Sequence, residues 1–331
     1  MSSNKFAGCF IWDGLNAGVH SVRSRAAQTP SKGFAVAWGA LIIAMLLWSS
    51  SFIGAKFALV SFSPEQAVGL RLLLGAVVTL PWLLIWGRPL LAKMRRRHWK
   101  WLLVMSLFEP CLYFLAEMNG LLYTSASAAS LVTSTLPIWI ALGAWYWLGE
   151  QIRMPLWIGL GLALAGTLIM TLLGQTSEAA PHPLLGNSLM LMATLMATGY
   201  VLIAKRLTDD LNPWLVTVLQ LWVGAIFFLP WLIFTPPDLG QASAASLQAV
   251  AWLGVVVSIG AYGFYNVGIS LVPAQIAGVA INLIPLFTLV MAYLILGERL
   301  AIGESLGAMM ILAGIIVAVW PSRPAENPNA S

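Results

Sequence analysis

Charged residues are scarce in this 331-residue chain: Asp, Glu, Lys and Arg together make up 9%, against roughly 25% in soluble domains. So few charges cannot furnish a water-facing surface, which excludes an ordinary soluble protein. Cysteine is rarer still. Cys9 lies in a polar N-terminal segment and Cys111 inside an apolar one, an arrangement that makes neither a disulfide framework nor a metal site. The three histidines, His20, His98 and His182, all fall outside the apolar segments. Those segments hold no His-Glu zinc motif, no paired Asp and no Ser-His arrangement, so nothing points to an enzyme and no cofactor is expected. A glycine-rich phosphate loop ending in Lys-Ser or Lys-Thr is also missing, which excludes an ATP-driven pump on this chain alone. The net charge of +5 is not clustered as nucleic-acid binding would require.

What the chain has in abundance is apolar sequence, 60% of its residues, with a mean hydropathy of +0.86. Ten apolar spans stand out, near 34–55, 65–86, 99–122, 127–148, 156–173, 185–204, 214–234, 247–271, 275–296 and 302–320. Crossing a bilayer as a helix takes about 20 apolar residues, so an all-α integral membrane protein with ten transmembrane helices is expected. The chain also states one pattern twice. At a shift of 148, Ala126, Pro137, Leu148, Gly149, Glu150, Gly159 and Gly166 recur as Ala274, Pro285, Leu296, Gly297, Glu298, Gly307 and Gly314. Gly75 to Ile85 returns at a shift of 149 as Gly224 to Phe234. A tandem duplication follows. It divides the chain into a disordered cytoplasmic tail (1–33, some of it an artefact of start-codon choice), a first repeat (34–173), a linker (174–184), a second repeat (185–320) and a second cytoplasmic tail (321–331).

Lys and Arg placement orients the spans. With the N-terminus inside, inner loops carry Lys5, Arg23, Arg25, Lys32, Arg88, Lys93, Arg95, Arg96, Arg97, Lys100, Arg153, Lys205, Arg206 and Arg323, while outer loops carry Lys56 and Arg299. Fourteen inside against two outside obeys the positive-inside rule, so both termini are expected in the cytoplasm. Five spans per repeat is an odd number, which makes the second copy enter the membrane in the opposite sense. Two inverted five-helix repeats of this kind are a transporter architecture, with a site near the midplane and two halves that rock against each other.

Charges inside a bilayer are costly, so those retained are the first functional candidates. Three lie deep in the spans: Arg71, Glu109 and Glu117. Glu109 sits about 15 Å into span three at 1.5 Å per residue. Glu109, Tyr113, Glu117 and Gly120 share one face of a regular helix. Glu109 is the best residue for a proton-coupling role, able to bind a proton or a substrate ammonium, with Glu117 second; the alternative is a structural acid bonded to nearby helices. Arg71 and Glu117 are expected to form a buried ion pair that locks spans two and three. The alternative has Arg71 receive a substrate carboxylate. In the second repeat these positions are Gln220, Val257 and Tyr265, so the charge belongs to one half. Trp48, Ser50, Tyr113, Tyr200, Tyr262, Tyr265, Asn266 and Asn282 complete the expected substrate-binding set with Arg71; interhelical hydrogen bonding is the alternative for each. Gly159, Gly161, Gly166, Gly303, Gly307 and Gly314 are expected to let helices pack closely, Pro137 and Pro285 to kink theirs, and Lys56 and Lys205 to snorkel to opposite surfaces.

The run Leu47 to Lys56, with Arg71, the Pro137 and Pro285 spans and the two Leu-Gly-Glu endings, resembles the EamA family of the drug/metabolite transporter superfamily over residues 34–320. The resemblance implies a multi-pass carrier of the bacterial inner membrane. Many such proteins export amino acids and other metabolites, and some are coupled to protons. The expected function is therefore secondary active export of small metabolites by alternating access. A metabolite importer or facilitator is the near alternative, and a lipid flippase a further one. The expected partners are a small-molecule substrate and the lipid bilayer, with no nucleic acid, and the chain acts as a monomer or homodimer.

Overall fold

The structure is a computed structural model that describes residues 31–148, 154–173, 177, 178, 180–272 and 274–319. Residues 1–30 of the tail expected at 1–33, the tail expected at 321–331, and Gly149 and Glu150 of the first Leu-Gly-Glu lie outside them; residues 31–33 are helical. Among the described residues everything regular is helical, and the only paired extended residues are an isolated bridge between Ser177 and Ala180. The first repeat contributes α1 (Ser31–Ala58), α2 (Pro64–Trp82), α3 (Arg96–Ser106), α4 (Tyr113–Tyr123), α5 (Ala126–Thr133), α6 (Leu136–Leu148) and α7 (Met154–Leu173). The second contributes α8 (Pro183–Asp210), α9 (Pro213–Phe234), α10 (Ala244–Ala251), α11 (Tyr262–Leu271), α12 (Ala274–Ile281), α13 (Leu283–Met291) and α14 (Ile302–Val319).

Among the described residues seven stretches are long and apolar enough to cross a bilayer: Phe34–Ala58, Pro64–Leu91, Arg96–Tyr123, Ala126–Gly143, Pro183–Asp210, Pro213–Phe234 and Ala244–Leu271. Three more apolar stretches, Trp157–Ile169, Leu283–Leu296 and Ser305–Gly314, are shorter. Large apolar side chains face outward, among them Ile85, Ile226 and Leu294. An apolar exterior around a polar interior suits hydrocarbon and not water. The chain is a multi-pass membrane protein.

Local chemistry places the helix breaks. Proline has no N–H to donate and its ring collides with the carbonyl four residues earlier. Four residues before Pro137 is Thr133, where α5 ends, and four before Pro285 is Ile281, where α12 ends. The expected kinks are thus full interruptions, at Ser134–Thr135 and at Asn282. A second matched pair of irregularities divides α3 from α4 and α10 from α11, through π-helical turns at Leu107–Leu112 and Trp252–Ala261. Such bulges often mark functional positions.

The halves pack as a pseudo-symmetric pair. Helix α1 lies on α11, and its repeat counterpart α8 lies on α4; α2 packs on its own counterpart α9, and α7 on its counterpart α14. Close glycine contacts give the directions. Gly69 abuts Leu232 while Gly75 abuts Leu221, so α2 and α9 are antiparallel. In α7 and α14 a Cβ on Gly166 would stand 2.7 Å from the Gly307 carbonyl, and one on Gly314 would stand 2.6 Å from that of Gly159. Gly303 abuts Leu173 in the same seam, whereas Gly161 has nothing within 4 Å and takes no part. Gly314→Leu is therefore expected to lower stability by about 1–3 kcal/mol through overpacking, read as a lower melting temperature in detergent, while Gly161→Leu leaves it unchanged.

Candidate functional site

A small cavity lies where the two repeats meet. It is lined by Trp48, Ser51 and Phe52 of α1, Arg71 of α2, Glu109, Tyr113, Phe114 and Glu117 of the third span, and Thr133 and Leu136 at the break between α5 and α6. The second repeat adds Ala197, Tyr200 and Val201 of α8, Tyr262 of α11, Ile281 of α12 and Ile284 of α13. Most of this wall consists of repeat counterparts. Trp48 and Ala197, Ser51 and Tyr200, Phe52 and Val201, Phe114 and Tyr262, Thr133 and Ile281, and Leu136 and Ile284 each match at the shifts of 149 or 148 found in the sequence. The cavity therefore sits on the pseudo-two-fold axis. The four lining residues without a matched partner, Arg71, Glu109, Tyr113 and Glu117, all come from the first repeat and bring the charge.

Each charged group has a defined neighbour. Arg71, 1% exposed, donates from Nε to Ser258 Oγ at 3.1 Å, and its guanidinium carbon lies 4.3 Å from the centre of the Phe114 ring. Glu109, 5% exposed, accepts a 2.5 Å hydrogen bond from Tyr262 Oη, and Glu117, 4% exposed, accepts one of 2.8 Å from Tyr113 Oη. The expected Arg71–Glu117 ion pair is not formed. Ion pairs within 4.0 Å among the described residues occur at Arg97, His98, Lys205, Asp209 and Asp210, outside the cavity. Arg71 is turned toward Ser258 and Phe114 instead, so the guanidinium ties α2 to the eighth span through a hydroxyl rather than to Glu117.

Glu109 also departs from the regular-helix expectation. Its backbone is extended, with φ −148° and ψ 121°, inside the π-helical turn and just before Pro110. The i, i+4 relation to Tyr113 is thus not that of a continuous helix, yet both side chains reach the cavity. Tyr262 joins the two halves. Its ring meets Trp48 edge-on at 5.3 Å, Tyr200 at 5.9 Å and Phe114 at 6.5 Å, while its hydroxyl holds Glu109.

Of the expected binding set, Trp48, Arg71, Tyr113, Tyr200 and Tyr262 line the cavity, together with both acids. Ser50 does not: its Oγ donates to the Leu47 carbonyl and accepts from Trp252 Nε1. Its neighbour Ser51 lines the wall in its place. Tyr265 stands behind Trp48 and Tyr200, with a hydroxyl that has no hydrogen-bond partner among the described residues. Asn266 accepts from Tyr200 Oη at 3.0 Å and donates to Thr217 Oγ1 at 2.9 Å, a supporting position. Asn282 occupies the break between α12 and α13, its Oδ1 unpartnered. Gln220, the counterpart of Arg71, is buried beside Tyr200 with neither amide atom in hydrogen-bond geometry. Sequence reasoning also missed Phe52, Phe114, Ala197, Val201, Thr133, Leu136, Ile281 and Ile284. The two prolines were the available signal for the last four, because each break exposes the residues around it.

The cavity volume is about 40 Å³, room for only about three waters at roughly 10–15 Å³ each. That volume is too small for a metabolite. Removing a hydroxyl that holds a buried carboxyl leaves that group unsatisfied, so Tyr262→Phe is expected to cost about 1–3 kcal/mol. Thermal unfolding in detergent checks this; an unchanged midpoint would show that the Glu109 bond contributes nothing.

Comparison with known proteins gives a consistent result. The model of the EamA-like transporter family matches residues 35–172 and again 184–320. The uncharacterized transporter YetK of Bacillus subtilis is 27% identical over 288 residues, covering 86% of each chain. An uncharacterized transporter of Archaeoglobus fulgidus is 24% identical over 278 residues, covering 83% of this chain and 94% of its own. A solved crystal structure shares the fold with a TM-score of 0.62 at 20% identity, covering 88% of this chain and 97% of that one.

Proposed function

The chain belongs to the EamA-like transporter family, and from that premise we propose that it is a secondary active transporter exporting small metabolites, such as amino acids or related compounds, across the cell inner membrane. Ten helices cross the membrane as two inverted five-helix repeats, and both termini are cytoplasmic. Transport proceeds by alternating access, each repeat rocking against the other around the closed cavity. The observation that carries this reading is that cavity: walled by matched residues of both repeats, about 40 Å³ in volume, and charged from one side only.

The chemistry of the wall supports a polar substrate with both signs of charge or an aromatic part. Arg71 offers a cation, and its planar guanidinium suits a carboxylate. Glu109 and Glu117 each spend one oxygen on a tyrosine hydroxyl, which leaves the other for a proton or a substrate ammonium. With both acids ionised, one cation leaves one negative charge uncompensated in a nearly dry site. A proton or an ammonium cancels it, and coupling follows if the two compete for Glu109.

Proteoliposomes under an imposed pH gradient test this, with amino acids, nucleosides and cationic drugs added in turn. One compound is expected to dissipate the gradient through the unmodified protein and not through Glu109→Gln. If the variant moves protons as well as the parent, Glu109 is not the coupling residue. If no compound moves protons, a facilitator or lipid transporter replaces the proton-coupled reading.

A further inference from the structure

A second polar cluster lies outside the cavity lining, at the end of α1. Lys56, in the last turn of α1, donates from Nζ to the carbonyls of Leu121 at 2.7 Å and Thr124 at 2.6 Å, at the C-terminal end of α4. Its head is thus engaged with backbone, not extended to the surface as expected. Two residues after Thr124, α5 begins. The backbone N–H groups of Ala126 and Ser127 donate to the two carboxyl oxygens of Glu298, at 3.1 and 3.0 Å, and Ser127 Oγ donates to the same carboxylate at 2.7 Å.

An ammonium at a helix C-terminus and a carboxylate at a helix N-terminus both match the helix macrodipole. The carboxylate also satisfies N–H groups that a helix start leaves without intrahelical partners. Glu298 lies close enough to Lys56 for its charge to act there. Gly297 aims it. This residue ends the ninth span at φ 67°, in the left-handed region where a Cβ costs about 1–2 kcal/mol. The second Leu-Gly-Glu is therefore a helix stop followed by an acid that reaches the other repeat.

The members of the cluster come from different repeats. Lys56, Leu121, Thr124, Ala126 and Ser127 belong to the first; Glu298 belongs to the last connection of the second. Helix α5 runs directly from this contact to Thr133 in the cavity wall. At the opposite end Lys205, the counterpart of Lys56, donates to the Ile269 carbonyl, the counterpart of Leu121, at 3.0 Å. Among the described residues its ion-pair partner is Asp209 of its own helix at 2.9 Å; Glu150, the counterpart of Glu298, lies outside the described residues.

We propose that Glu298 is an inter-repeat latch: it holds the Lys56 end of the carrier shut and must leave the start of α5 before that end opens. The proposal rests on the carrier reading, and the Lys and Arg distribution puts the latch on the external face.

The test uses the full-length protein in membrane vesicles, with Cys9 and Cys111 replaced by alanine and Thr133→Cys as reporter, labelled by a membrane-impermeant maleimide from either side. Glu298→Ala is expected to raise the labelling rate from the latch side by about tenfold or more, the shift from losing a charge-assisted hydrogen bond. Labelling from the opposite side falls. Gly297→Ala, which keeps the acid but displaces it, moves both rates the same way by less. Unchanged rates with Glu298→Ala overturn the latch, and so do rates that rise equally from both sides, which would mark a simple packing cap. The carrier reading is tested separately in the parent: a cavity open to each side in turn labels from both, and a reporter reached from one side or neither refutes alternating access whatever Glu298 does.

Discussion

Hydrocarbon offers no hydrogen-bond partner, so every polar group in a membrane chain has to be satisfied within the protein or kept near its ends. That constraint explains the inverted distribution here. Ile85, Ile226 and Leu294 face outward, while Arg71, Glu109, Glu117, Ser258 and Tyr262 are buried together. Where proline interrupts a helix, at Ser134–Thr135 and at Asn282, residues on either side of the break line the cavity. The N–H groups of Ser134 and Thr135 are still bonded, to the carbonyls of Ser130 and Val132.

Symmetry supplies the frame and asymmetry supplies the chemistry. Two copies of one helical pattern pack head to tail, so α2 meets α9 and α7 meets α14 in antiparallel seams. The six matched pairs in the cavity wall come from that frame. Only the first copy keeps a guanidinium and two carboxyl groups; the second has Gln220, Val257 and Tyr265 in their places. A charged set carried twice would double the desolvation cost of the closed state. The second copy instead contributes Tyr262 and Ser258, neutral groups that hold Glu109 and Arg71.

The symmetric frame extends to the ends of the bundle. Lys56 and Lys205 use their ammonium groups alike, each on the carbonyl end of a neighbouring helix. At the Lys56 end the carboxylate of Glu298, from the other repeat, caps the start of α5. A frame with equal ends is suited to two states of similar energy, and a few hydrogen bonds then suffice to decide which end is closed.

Sequence alone determined the membrane class, the duplication, the positions of both proline breaks and the three ionisable residues of the site, because each depends on local composition or on spacing along one chain. Helix rotation and the contacts between distant segments were decided only in three dimensions. Ser51 and not Ser50 faces the cavity, a difference of about 100° around α1 that sets of adjacent serines cannot reveal. The extended backbone at Glu109 resets the phase of the third span, so its face could not be read by counting from Trp99. Arg71 found Ser258 and Phe114 instead of Glu117, and Glu298 found the start of α5. Those partners lie in other segments of the fold, from 43 to 187 positions along the chain; helix packing within the first repeat brings Phe114 to Arg71, and the packing of one repeat on the other brings Ser258 to Arg71 and Glu298 to α5.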